Sequence, residues 1–189
     1  MSSPIDDRRT MINSSENRGH GVEKAPDSAA GGGQNAGPAF DIRIAADGTW
    51  YHEGAPIRRL AIAKLFATVL TRDDNGDYWL VTPAEKGRIE VEDAPFVAVE
   101  LTIEGDGPGR ILRFRTNLDH QVEVGRDHPI RVAHDSATGE PRPYVRVKEG
   151  LEALIVRSVY YQLVEVAEPH AGRIGVWSKN TFHPLDQDS

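Results

Sequence analysis

Phe40-Asp41-Ile42-Arg43-Ile44 alternates apolar and polar side chains, Asp47-Gly48 follows as a turn, and Thr49-Trp50-Tyr51-His52 returns. In an extended chain successive side chains point to opposite faces, so this alternation lets one face be buried while the other stays wet. The stretch therefore predicts a β-hairpin. The same signals recur along the chain. Strands are predicted over residues 78–81, 88–93, 96–104, 111–116 and 121–124, with a second hairpin from 128–134 and 142–147 around Thr138-Gly139-Glu140-Pro141. A last strand is predicted over 175–182. Two segments carry helical spacing instead. Residues 58–70 place Ile62, Leu65, Phe66 and Val69 on one face, with Arg58, Arg59 and Lys64 available for the solvated side. Leu151, Leu154, Ile155, Val159, Leu163 and Val166 mark a second helix of about four turns.

The fold class expected is therefore α+β, with several short strands and one good helix in each half. The order repeats loosely. Gly54-Ala55-Pro56-Ile57 is echoed by Asp127-His128-Pro129-Ile130, and Tyr78-Trp79-Leu80-Val81 by Tyr144-Val145-Arg146-Val147. Two related small α+β halves packed together, at 39–109 and 110–185, fit this pattern. A boundary between halves is also where ligand clefts tend to form. Residues 1–38 differ: Ser14-Ser15, Gly19-His20-Gly21 and Ala29-Ala30-Gly31-Gly32-Gly33 offer little apolar surface to offset the entropy of ordering. A disordered tail is expected there.

Composition excludes several classes. The 189 residues carry a net charge of −7 and no cysteine, which removes disulfides and thiolate chemistry and makes the reducing cytoplasm the expected address. No run approaches the roughly 18 apolar residues of a membrane span. An acidic chain is not expected to hold duplex DNA by general charge. Asp73-x-Asn75-x-Asp77 opens like a calcium loop, but Ala84 stands where its closing glutamate belongs. It reads as a turn. No metal or cofactor is expected.

Four constellations carry binding chemistry. Thr82-Pro83-Ala84-Glu85-Lys86-Gly87 leaves a buried-looking strand as a polar loop, a good place for donors and acceptors. In Arg113-Phe114-Arg115-Thr116-Asn117 the two arginines and Asn117 share a strand face. Their guanidiniums suit phosphate or carboxylate, or else ion pairs with Glu100 or Glu104 of a neighbouring strand. Arg142, Tyr144, Arg146 and Lys148 form a basic stripe with an aromatic in it, which suits a nucleotide and equally a solvated strand face. Arg157, Tyr160 and Tyr161 on the second helix, with Trp177-Ser178 beyond, offer apolar bodies with polar handles.

Taken together, these residues make the chain resemble the bacterial domain-of-unknown-function family 1285 (DUF1285). The resemblance spans residues 39–185. It rests on Trp50-x-x-x-Gly54-x-Pro56-Ile57, Tyr78-x-Leu80-Val81-Thr82-Pro83-x-Glu85-Lys86 and Val91-Glu92-Asp93-x-Pro95-Phe96. Phe114-Arg115-Thr116-Asn117, Pro143-Tyr144-Val145, Arg157-x-x-Tyr160-Tyr161 and Trp177-Ser178 continue it. What the resemblance implies is a duplicated α+β architecture whose C-terminal half is similar to a pleckstrin-homology barrel with a capping helix. It also implies a nucleotide-like ligand between the halves and a role in signalling. It implies no catalytic residues.

The expected function is a ligand-binding module. Thr82, Glu85 and Lys86 would come from the first half, and Arg115, Thr116 and Asn117 from the connection. Tyr144, Arg157, Tyr160, Trp177 and Ser178 would come from the second. Arg115 and Lys86 would meet anionic oxygens, Tyr160 or Trp177 would stack, and Asn117 would read a polar edge. Two alternatives stay open. One is a small hydrolase using Glu85 as base with a histidine such as His120; the other is a protein-interaction module.

Overall fold

The first strand, β1 (Ala39–Ile44), turns through Asp47-Gly48 into β2 (Trp50–His52), and a two-residue β3 (Ala55–Pro56) follows. The turn is held by its own sequence. The Asp47 carboxylate accepts the Thr49 N–H at 2.8 Å, which lowers its pKa, and Gly48 adopts φ +82°, a conformation open to glycine. Helix α1 (Leu60–Thr68) comes next, then the meander β4 (Leu70–Arg72), β5 (Tyr78–Val81) and β6 (Lys86–Val91). These strands form one six-stranded sheet in the order β3-β2-β1-β6-β5-β4, with β1 parallel to β6 and the other pairs antiparallel. This computed structural model describes residues 38–186; the tail expected at the N-terminus lies outside them.

After residues 92–95 the chain builds a second sheet from β7 (Phe96–Glu104), β8 (Ile111–Thr116), β9 (Gln121–Glu123), β10 (Ile130–His134), β11 (Pro141–Lys148) and β12 (Leu151–Ile155). Its order is β10-β11-β12-β7-β8-β9, and its one parallel pair is β12 with β7. Both sheets thus join two antiparallel meanders through a parallel pairing of their first and sixth strands. Because β7 pairs with β8 and β12, sheet membership changes at 92–95 and not at the glycine-rich break at 105–109. Helix α2 (Arg157–Glu165) follows, then a small sheet of β13 (Glu168–His170), β14 (Arg173–Ser178) and β15 (Thr181–Pro184).

The fold is α+β and mostly β. One apolar core runs through both sheets, with Ile44, Trp50, Phe96, Phe114, Leu151 and Leu163 at its centre. Among the described residues no helix is long and apolar enough to cross a membrane.

Three expectations change. Residues 151–155 are a strand, although Leu151, Leu154 and Ile155 fit helical spacing. The alternation Leu151, Ala153, Ile155 is what enters the core, and β12 pairs on both edges. Helix begins only at Arg157. The final strand is a hairpin turning on Lys179 and Asn180, both at positive φ. In α1 the face against the sheet is Ala63 and Ala67, while Ile62 and Leu65 are exposed. Large side chains from the sheet, Trp50 and Leu70, fill the space beneath the helix, and Trp50 stacks on Phe66 at 6.1 Å. Small residues are what such a contact accepts.

Candidate functional site

The connection between the sheets is tied down on both sides. Glu92 holds Arg43 and accepts the Ala46 N–H at 2.9 Å, so it braces the β1–β2 turn. Asp93 accepts the Tyr144 hydroxyl at 2.7 Å and pairs with Arg142 at 2.6 Å, both on β11. The Tyr144 hydroxyl and Asp93 together hold the Arg142 guanidinium firmly charged, pushing its pKa up. From the loop after β8, the Asn117 side chain accepts the Val97 N–H at 3.0 Å and donates to the Gly48 carbonyl at 3.1 Å. These contacts set the β1–β2 turn of the first sheet beside β11, β12 and the start of α2.

A cleft of about 790 Å³ lies between them. Ala46 and Asp47 line it from the first sheet's turn, and Val97 from β7. Arg142 and Pro143 line it from β11, Leu154 and Ile155 from β12, and Arg157, Tyr160 and Tyr161 from α2. Asp135 and Glu140 stand at its rim on the β10–β11 loop. Two of its carboxylates are committed to local turns: Asp47 to Thr49, and Asp135 to the N–H groups of Ala137 and Thr138. Each is thereby lowered in pKa. Arg157 pairs with Glu140 at 2.9 Å in an exposed position, where an ion pair is worth little and exchanges readily. Tyr160 is half-buried, which raises its pKa, and its hydroxyl has no hydrogen-bond partner among the described residues. Helix α2 begins here without a side-chain cap or an acidic residue in its first turn. The cleft thus offers guanidinium groups, a phenol hydroxyl and aromatic faces. Among the described residues its lining holds no histidine or lysine.

Of the residues expected to form the site, Arg157 and Tyr160 line this cleft. Tyr144 stands beneath it, buried and joined to Asp93, with Arg131 over its ring at 4.3 Å. Asn117 is the clasp between Gly48 and Val97 and does not line the cleft. Arg115 pairs with Glu100 at 2.7 Å and Asp119 at 3.3 Å, and Arg113 with Glu104 at 2.6 Å and Glu123 at 2.9 Å. The ion-pair reading of those arginines is the one the structure adopts. Thr116 is fully buried, its hydroxyl accepting the N–H groups of Leu118 and His120.

Thr82 and Glu85 close a turn on each other, and Lys86 lies over the Trp79 ring at 4.3 Å. Trp177 packs with His170 and Phe182, and Ser178 is buried under β8 and β9, accepting the Leu112 N–H and donating to the Val124 carbonyl. None of these lines the cleft. Glu85 and His120 share no hydrogen bond or ion pair; His120 packs edge-on against Phe96 at 5.1 Å. Asp73 accepts the N–H groups of Asn75 and Asp77 and the Trp79 indole, which makes it a turn residue.

Sequence reasoning missed Asp47, Asp93 and Glu140 as parts of this site, while both tyrosines of the Tyr160-Tyr161 pair line the cleft. Asp93 stood in the motif Val91-Glu92-Asp93-x-Pro95-Phe96, and its position between two strands was the available signal. A second cavity of about 670 Å³ lies along β1 and β6, with Phe40, Arg43, Tyr51, Asp77, Arg88 and Glu90 on its walls. Its arginines are already engaged, Arg43 by Glu92 and the Tyr51 ring, Arg88 by Asp77.

Comparison with known proteins agrees with the two-sheet division. Residues 35–94 match the N-terminal domain model of DUF1285, a domain of unknown function, and residues 95–185 match its C-terminal domain model. A DUF1285 protein of Silicibacter pomeroyi DSS-3 is 45% identical, with 79% of this chain and 84% of that one covered at a TM-score of 0.74. One of Shewanella baltica OS155 is 29% identical, with 67% and 91% covered at 0.53. No curated protein matches.

Proposed function

The chain belongs to the DUF1285 family, and on that premise we propose that it is a ligand-binding module whose site is the cleft between the β1–β2 turn and α2. The observation that carries this reading is that both sheets contribute to one cleft of about 790 Å³ containing Arg142, Arg157 and a Tyr160 hydroxyl with no partner among the described residues. An anionic, nucleotide-like ligand suits those groups. Phosphate or carboxylate oxygens replace Glu140 on Arg157 and reach the uncapped start of α2. A flat ring lies against Tyr160 or Tyr161. Binding at a seam between two sheets also gives a route to signalling, since closure on the ligand would move one sheet against the other. A cytoplasmic location belongs to this proposal.

The shared connectivity of the two sheets supports an origin by duplication, and the placement of α2 after β12 supports a pleckstrin-homology-like reading of the C-terminal half.

The test is thermal unfolding of the full chain against nucleotides, cyclic dinucleotides and small anions. A ligand at 100 times its dissociation constant adds about 2.7 kcal/mol, which moves the midpoint by roughly 5–10 °C in a domain of this size. The expected result is a selective rise that Arg157→Ala and Tyr160→Ala abolish and Arg115→Ala preserves. A rise insensitive to Arg157 and Tyr160 would place the site elsewhere. A flat panel at about 1 mM excludes ligands tighter than about 10 μM and overturns the nucleotide reading.

A further inference from the structure

The outward face of α1 is apolar where a surface helix ordinarily carries charge. On that face Leu65 is 64% exposed and Ile62 38%, with Ala61 exposed beside them, while Leu60, 45% exposed, opens the helix on the side of Ala63 and Ala67. Lys64 is drawn aside by Asp119 at 2.6 Å. Just past the helix, Val69 accepts the N–H of Val81, a further exposed aliphatic. At the opposite end Arg58 and Arg59 are exposed and, among the described residues, have no ion-pair or side-chain hydrogen-bond partner. The helix starts there with no side-chain cap and no acidic residue in its first turn. Two uncompensated guanidiniums therefore coincide with the positive end of the helix dipole, beside an aliphatic stripe, on a chain of net charge −7.

We propose that this face docks an acidic amphipathic segment of a partner protein. Aliphatic side chains of that segment cover Ala61, Ile62 and Leu65, while its carboxylates meet Arg58 and Arg59 at the α1 N-terminus. Charge complementarity selects this occupant. A second copy of the chain would bring the same cationic end in place of carboxylates. A bilayer needs an apolar face it can insert, and a nine-residue helix of about 13.5 Å offers it little area. The face is separate from the cleft, none of whose walls comes from α1.

The experiment screens the full chain against an array of amphipathic peptides in three matched sets, bearing Asp/Glu, Asn/Gln or Lys at the polar positions. The acidic set is expected to be retained at least tenfold over the amide set. Leu65→Asp weakens that retention at least tenfold, and Leu65→Ser, a milder change, weakens it several-fold; because Leu65 is exposed, the melting curves of both variants stay near wild type. Arg58→Glu with Arg59→Glu moves the preference to the Lys set. Equal retention of acidic and amide peptides, or indifference to Leu65→Asp, overturns the proposal. So does a dimer in light scattering that Leu65→Asp dissolves, which would identify a second copy. Co-sedimentation with phosphatidylserine/phosphatidylcholine vesicles that Leu65→Asp abolishes would identify a lipid surface and overturn it too.

Discussion

Replacing Asn117 by alanine removes two hydrogen bonds, one from the Val97 N–H at 3.0 Å within the second sheet and one to the Gly48 carbonyl at 3.1 Å that joins it to the first. Val97 and Gly48 are both buried, so water does not readily replace the amide. At about 0.5–1.5 kcal/mol net for each bond, and more where a buried partner is left unsatisfied, the loss comes to about 2–3 kcal/mol. For a domain of this size that lowers the melting temperature by roughly 4–12 °C. Gly48→Ala tests the same clasp from the other side. Its φ of +82° strains any L side chain, and a Cβ there would sit 2.5 Å from Asn117 Nδ2 and 2.8 Å from Val97 Cγ2. In the Asn117→Ala background the first collision disappears while the second remains. The cost of Gly48→Ala should therefore fall by about 1 kcal/mol or more, a coupling well outside the roughly 0.3–0.5 kcal/mol of independent sites. Urea denaturation of the two single variants and the double variant measures this directly. Additive losses, or an Asn117→Ala cost below about 0.5 kcal/mol, would refute the clasp. Because Ala46 and Asp47 ride on the same turn, loosening it should also weaken any ligand of the cleft.

Two other predictions rest on buried polar groups. Ser178→Ala leaves the Leu112 N–H and the Val124 carbonyl without their present partner in a fully buried position; a loss of about 2–3 kcal/mol in denaturant midpoint is expected, and a change under about 0.5 kcal/mol would contradict it. His183 is 3% exposed, its Nδ1 facing the Ile130 N–H and its Nε2 without a partner, and burial lowers its pKa from the ordinary 6.5. The unfolded chain then takes up its proton first, so stability is held above about pH 6.5 and declines as pH falls below it. His120 shifts in the same direction, chiefly through burial. Denaturation at pH 7.5 and 5.5 should show a drop that His183→Gln reduces; a drop unchanged in that variant and in His120→Gln would exclude both.

What the sequence determined by itself is what repeats at short range. The alternation of Phe40 to Ile44 and of Ile111 to Thr116, and the Asp47-Gly48 turn, are consequences of local backbone geometry and side-chain period, and they survive in the structure. The strand 96–104 and the 128–147 hairpin were legible for the same reason. So was the echo of Tyr78-Trp79-Leu80-Val81 in Tyr144-Val145-Arg146-Val147, which lie in β5 and β11, the fifth strands of their sheets. The echo of Gly54-Ala55-Pro56-Ile57 in 127–130 does not occupy matching places, one spanning β3 and the other leading into β10.

Tertiary structure decided everything that depends on pairing over long separations. Residues 151–155 satisfy both periods, and only the edges offered by β7 and β11 make them a strand. Arg115 and Arg157 are alike as arginines in a polar pattern. One faces Glu100 across an antiparallel pair and the other the cleft, because strand register and not residue type chose their neighbours. Ile62 and Leu65 point outward because the small Ala63 and Ala67 are the α1 residues turned inward, in a helix whose Phe66 stacks on Trp50 of β2. A chain announces its periods locally, but which partner fills a given space is settled only when both sheets are packed.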